Sequence, residues 1–387
     1  MRKRTVTPLP ALLSLLLLVV SLGSFTALCV LQRAPMADLL VYRAEGAAVA
    51  HGGDLYGFTV TEWRLPATYP PFAAVLFVPT AWIPVAALKA VFLAGNVLLL
   101  AGLVALSARL ASRPLSLPLL CTATALALWL EPVFQTLLFG QINLAIACLV
   151  LWDLTRAPRT RTRGLALGLA AGIKLTPAIF IAHLFLSGRR REAATATAAF
   201  TATVLLGALL LPSASAEFWT RRLYETGRVG KPWIVDNQSL QGLVARALHD
   251  PAPGLAWALP AVAVAAAGLG LAARAREDGL GILLTALTAL LVSPISWSHH
   301  WVWCVPLIAL LLARSRPRLA ALTAALFTAR TLWLIPHAGD RDLHLPWWQQ
   351  PLAAPYPLLA LALLAGTALA VAQPVPPARI SSASTIR

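Results

Sequence analysis

A chain of 387 residues with 59% hydrophobic and only 12% charged side chains cannot keep its surface in water, since a soluble domain carries about 25% charged residues. The net charge of +16 does not point to nucleic acid. The basic residues sit in short clusters between apolar runs, and no aromatic-interleaved basic face is present. What these figures leave is an all-α polytopic membrane protein.

Arg2, Lys3 and Arg4 precede a stretch without charge up to Arg33. That stretch is longer than a signal-peptide core and long enough to span. Positive residues stay inside, so the N-terminus is expected in the cytoplasm and 32–85 becomes the first extracytoplasmic loop. Within it, "TYPPFAAVLFVPTAWIP" (68–84) is broken by four prolines and is expected to lie in the interface rather than cross. Further spans are expected at 86–108, 115–130, 142–155, 193–212, 254–273, 279–296, 299–314, 318–336 and 352–372. Arginine clusters flank 164–187 on both sides. A single helix over that stretch would run about 36 Å at 1.5 Å per residue and strand one cluster outside. Gly172, Lys174 and Pro177 supply a break, so two short segments meeting at Lys174–Pro177 are expected. The total is about 12 segments in one membrane domain, 1–373. A second extracytoplasmic loop covers 213–253, a cytoplasmic tail covers 374–387, and both termini are cytoplasmic in a plasma-membrane protein.

Polar residues that are neither arginine nor part of a basic cluster gather on the outward side of this topology. Asp38 follows the first span, with Tyr42 one turn later and Tyr69 in "TYPPFA" at the same interface. "FGQIN" places Gln141 and Asn143 where the chain turns back, with amides suited to sugar hydroxyls or to capping a helix. Lys174 inside an apolar run is costly and functional by default unless it snorkels. "DNQSL" (236–240) lies in a loop of a length that is usually functional or disordered, and it carries Asn237 and Gln238. "SPISWSHHWVW" joins His299 and His300 to three tryptophans. An aromatic belt explains the tryptophans but not the histidines. "DRD" (340–342) imitates an Asp-x-Asp metal motif but is too short to carry one. The four cysteines lack metal-ligand spacing.

Taken in order, "D-x3-Y", "TYPPFA", "GQIN", "GIKLTP" with "RRRE", "NQSLQG" and "SPISWSHHW" resemble the polyprenol-phosphate-mannose-dependent α-(1→2) mannosyltransferases, membrane glycosyltransferases of the GT-C class. The likeness runs from about residue 38 to 301, and no motif carries over beyond it. It implies a GT-C-type fold and an inverting transfer of mannose from a polyprenyl-phosphate-mannose donor to an envelope glycolipid or glycan acceptor. It implies Asp38 as catalytic base at the extracytoplasmic face. The phosphate then falls to Lys174, His299 and His300, with Arg228 or Lys231 behind them. The sugars fall to Tyr42, Tyr69, Gln141, Asn143, Asn237 and Gln238. No metal and no cofactor is implied, because a monophosphate donor does not call for one. Besides donor and acceptor, the expected partners are membrane lipids, not nucleic acid. The alternatives are the same scheme with another lipid-linked sugar, such as arabinofuranose, or a transporter or flippase. Only one broken helix is visible for a transporter, where related halves would show two.

Overall fold

A computed structural model describes residues 10–157 and 160–372. The expectations for Arg2, Lys3 and Arg4 and for the 374–387 tail lie outside the described residues. The protein is built almost wholly of helices. The first is α1 (Ala11–Leu31), followed by α2 (Ala37–His51), α3 (Pro71–Phe77), α4 (Val85–Leu110), α5 (Leu117–Ala127) and α6 (Glu131–Phe139). The middle of the chain forms α7 (Asn143–Leu154), α8 (Leu165–Ile173), α9 (Ile179–Leu186), α10 (Arg190–Leu210) and α11 (Pro212–Glu217). The last third forms α12 (Leu240–Leu248), α13 (Gly254–Arg274), α14 (Asp278–Val292), α15 (Cys304–Ala313), α16 (Pro317–Ala329), α17 (Gln350–Ala353) and α18 (Pro355–Ala372). Among the described residues the all-α expectation is departed from by a two-stranded hairpin pairing Thr59–Val60 with Leu65–Pro66.

Among the described residues, five helices, α1, α4, α10, α13 and α18, are long and apolar enough to cross a membrane. They match the expected spans at the start of the chain, 86–108, 193–212, 254–273 and 352–372. α5 and α6 together make a sixth if the pair, bent by 78°, counts as one crossing. The segments expected at 142–155, 279–296 and 299–314 are shorter apolar helices. By length and composition the described residues therefore support five or six spans, a coarser result than the expected dozen. Each long helix keeps apolar side chains on its outer surface, such as Leu12, Val20, Leu98, Leu209 and Val262, as a lipid-facing helix must.

The break at Lys174 is abrupt. α8 stops at Ile173, Lys174 takes an extended conformation (φ −143°, ψ 127°), and a 3₁₀ turn at Thr176–Ala178 leads into α9. Pro177 explains the stop, since it has no N–H to give the carbonyl of Ile173 four residues back and its ring would clash with that carbonyl. Helices α8 and α10 pack on each other, as do α13 with α14, α1 with α5, and α4 with α7. One large apolar core runs through these pairs. A second, smaller cluster of Met36, Leu39, Tyr42, Tyr69, Ala73, Phe77 and Leu88 ties α2 and α3 to α4. This small core seats the polar residues of the first loop.

Candidate active site

Helix α2 begins just after Pro35 and closes on Gly52 in the left-handed conformation (φ 68°), a frequent helix stop. Asp38, Tyr42 and Glu45 stand at i, i+4 and i+7, so they share one face. Tyr42 stacks on Phe77 at 4.5 Å between ring centroids, which holds that face toward α3. Tyr69 is kept extended by Pro70 and meets Tyr42 hydroxyl to hydroxyl at 3.0 Å. Both tyrosines donate to Gln141 Oε1, at 2.8 and 3.2 Å.

Gln141 reaches this point because α6 ends on Gly140 with φ 67°. A Cβ there would stand 2.8 Å from Leu39 Cβ, so only glycine lets α2 close on the α6–α7 turn. Burial is the main cause that pushes the Asp38 carboxyl up to about 6, and Asp236 adds to it. The Gln141 side chain and the Lys174 charge pull the other way. Glu45 is fully buried, and its oxygens lack hydrogen-bond partners. Burial pushes it to about 8, a little offset by the nearby Thr68 backbone, so it stays protonated at neutral pH.

On the other side of the tyrosines, Lys174 Nζ donates to Asn143 Oδ1 at 2.9 Å and lies 3.1 Å from His300 Nε2. It also sits over the Tyr69 ring, 5.4 Å from its centroid. Asn143 Nδ2 and Thr136 Oγ1 both donate to the His299 carbonyl, each at 3.0 Å. The His299 ring is buried against Phe139, and neither nitrogen has a partner. Asp38, Tyr42, Tyr69, Gln141, Asn143, Lys174, His299 and His300 are thus gathered by five separate elements into one cluster. Its arrangement is a carboxylate on one side and an ammonium–imidazole pair on the other.

Asn237 and Gln238 are placed differently. Asn237 Nδ2 donates to the carbonyls of Pro232 and Pro294, and its Oδ1 accepts from the amides of Ser239 and Ser296. Gln238 Nε2 donates to Val235 and Ala353. Their polar groups are occupied by backbone, and they fasten this loop to the strand-like run before His299 through an Asn237–Trp297 bridge. Arg228 donates to the Ala67 carbonyl and faces Tyr56. Lys231 pairs with Asp340. The first carboxylate of "DRD" is taken by that pair, and the second accepts from the Val235 amide.

Two acidic residues have no counterpart among the expected site residues. Asp236 accepts from the Ser298 amide at 3.1 Å and acts on Asp38 through its charge. Glu131, fully buried, accepts from Ser298 Oγ, Trp333 Nε1 and Tyr356 OH at 2.8, 2.9 and 2.7 Å. The signal for Asp236 was its place beside Asn237. For Glu131 it was a lone carboxylate in an apolar run.

Residues 67–294 match the model of glycosyltransferase family 87. The chain belongs to glycosyltransferase family 87. It is 34% identical over 371 residues to the polyprenol-phosphate-mannose-dependent α-(1-2)-phosphatidylinositol mannoside mannosyltransferase of Mycobacterium tuberculosis, covering 88% of this chain and 86% of the relative. It is 38% identical to a pentamannoside mannosyltransferase of the same species, covering 79% and 74%. A phosphatidylinositol mannoside mannosyltransferase of Mycolicibacterium smegmatis is 35% identical, covering 84% and 82%. These shares exceed the 38–301 stretch marked by the motifs. No solved structure matches the chain. This family 87 protein is a glycosyltransferase, which sets aside the transporter and flippase alternatives.

Proposed function

We propose that this family 87 glycosyltransferase moves mannose from a polyprenyl-phosphate-mannose donor to a hydroxyl of a phosphatidylinositol mannoside, forming an α-1,2 linkage with inversion. Relatives covering most of the chain carry the donor, the α-(1-2) linkage and a phosphatidylinositol mannoside in their names, which supports this reading apart from the inversion. The observation that carries the mechanism is the meeting of Asp38 with the Lys174–His300 pair in one tyrosine-lined cluster.

Asp38 acts as the general base. The acceptor oxygen attacks the anomeric carbon as its proton passes to the Asp38 carboxylate. The bond from that carbon to the phosphate oxygen breaks in the same step. A carboxyl with a pKa of about 6 is ionised at neutral pH, yet is a stronger base than an ordinary carboxylate. The leaving polyprenyl phosphate gathers negative charge where Lys174, His300 and the unpartnered nitrogens of His299 stand. Donors fixed in place in advance stabilise such charge without reorganising. Tyr42, Tyr69, Gln141 and Asn143 orient the sugars and hold the two charged sides apart. Asn237 and Gln238 act one step back, by fixing the run that carries the histidines. The reaction takes place at the extracytoplasmic face of the plasma membrane, where the exit of α1 presents Asp38, and both termini are cytoplasmic. Residues 1–373 serve as one catalytic membrane domain.

The test is transfer by purified protein in nanodiscs with defined polyprenyl-phosphate sugars and mannoside acceptors. Asp38→Asn is expected to lose 10²–10⁴-fold in turnover, the usual worth of a positioned base, while inserting normally. Turnover within threefold of wild type removes Asp38 from the chemistry.

A further inference from the structure

A second polar feature borders α6, lined by residues outside this cluster. A cleft of about 670 Å³ opens between the ends of α1, α6 and α16, within the size range of small-molecule sites. Leu28, Leu138 and Phe134 give it apolar walls, and Gln32, Gln135 and Arg330 are its polar groups. Arg330 stacks on the Phe134 ring at 4.0 Å and, among the described residues, forms no ion pair. Gln135 Oε1 is buried without a hydrogen-bond partner. A guanidinium left unpaired on an aromatic face, beside an apolar wall, complements a phosphodiester with an attached hydrocarbon chain, and the free amide oxygen next to it complements a hydroxyl on the headgroup.

The placement narrows the occupant. Gln32 is six residues before Asp38, so the cleft opens within about 20 Å of the base at the reach of an extended chain. Gln135 is six residues before Gln141, about 9 Å along a helix at 1.5 Å per residue. A lipid phosphate held by Arg330 would therefore project an inositol and its attached hexoses past the end of α6 toward Asp38. We infer that the cleft binds the phosphodiester and upper acyl chain of the acceptor glycophospholipid, with Arg330 as its phosphate ligand and Gln135 Oε1 accepting from a hydroxyl of the attached inositol. The inference rests on the reading that the acceptor is a phosphatidylinositol mannoside.

The acceptor role predicts a split that a structural role would not produce. Nanodisc-embedded protein is assayed with polyprenyl-phosphate-mannose and two acceptors, a phosphatidylinositol mannoside and methyl α-mannoside, which lacks phosphate. Arg330→Gln is expected to lower the kcat/KM preference for the lipid acceptor about tenfold, through KM for the lipid. Arg330→Lys, which keeps the charge, should recover part of it. Equal losses with both acceptors, an unchanged preference, or a rise in donor KM instead would each overturn the assignment.

A binding arm is independent of turnover. Asp38→Asn protein is examined by native mass spectrometry after incubation with phosphatidylinositol, phosphatidylglycerol or phosphatidylcholine. One retained phosphatidylinositol is expected, absent once Arg330→Gln is added. Its persistence in the double variant, or equal retention of phosphatidylglycerol, overturns the proposal. Should wild-type protein transfer mannose to neither acceptor, the reading of function fails, and this binding arm alone decides the cleft.

Discussion

Two carboxyls on one face of α2 experience burial to different extents, and the difference separates their roles. Glu45 has only the nearby Thr68 backbone beside it and is pushed by burial to about 8. Asp38 has an amide and a cation within reach and settles at about 6. A base must be deprotonated to accept a proton, so log kcat/KM should fall with unit slope as pH drops below about 6 and level off above it. A pH–rate profile in nanodiscs checks this, and a flat profile from pH 5 to 8 would assign the base elsewhere. The same shift has a stability consequence. A carboxyl whose pKa is raised by folding carries no penalty below about 4. The penalty accrues as pH rises and is complete above about 6. Asp38→Asn should therefore melt no lower than wild type at pH 7.5, even though it is inactive, as expected of a group kept for function at the expense of stability.

At the scale of elements, the cluster exists because helices stop in particular ways. α8 ends at Lys174 instead of running on, so an ammonium is delivered to the interior at a broken tip. α6 ends on Gly140, and α2 lies close enough to fill the space a side chain would need there. Gly46 makes a similar approach farther along α2, where a Cβ would stand 2.2 Å from the Phe77 carbonyl oxygen. Gly140→Ala combines a left-handed backbone, about 1–2 kcal/mol for a residue with a side chain, with a clash against Leu39. It is expected to move α2 and cost at least tenfold in kcat/KM while the protein still folds. Kinetics alongside a thermal melt would show this, and wild-type turnover would mean that Asp38 does not depend on the close approach.

Over the whole molecule, distant parts of the chain are joined at Glu131. Its carboxylate receives donors from the histidine-bearing turn, from the segment after α16 and from the start of α18. Removing it leaves three interior donors without an acceptor, each costing about 1–3 kcal/mol. Glu131→Ala should accordingly lower the melting temperature in detergent by several degrees, and Glu131→Gln, which keeps one acceptor oxygen, should fall between. An unchanged melt for the alanine variant would show that these donors find water or other partners. The amides of Asn237 and Gln238 act in the same way, stitching 232–239 to 294–298 and to Ala353. The histidine turn is thus held from behind as well as by Asn143, which itself accepts from Lys174.

Class and membrane character were legible in composition, because a chain with so few charges has no means of staying in water. The break at Lys174 was equally legible, since a proline and a charge interrupting an apolar run act locally through backbone sterics and solvation. The span count was less so. Hydropathy reports that a segment is apolar, but not whether it runs straight for a full crossing or bends, as α5 and α6 do at 78°. The motifs marked which residues matter without distinguishing their duties. Asn237 and Gln238 looked as suited to a sugar as Gln141, and only the fold shows their amides already taken by backbone, part of it local and part of it 57 or more residues away. Asp236 and Glu131 carried local signals, but their duties were hidden for the same reason. A carboxylate's meaning is set by what surrounds it, and the surroundings here come from segments far apart along the chain.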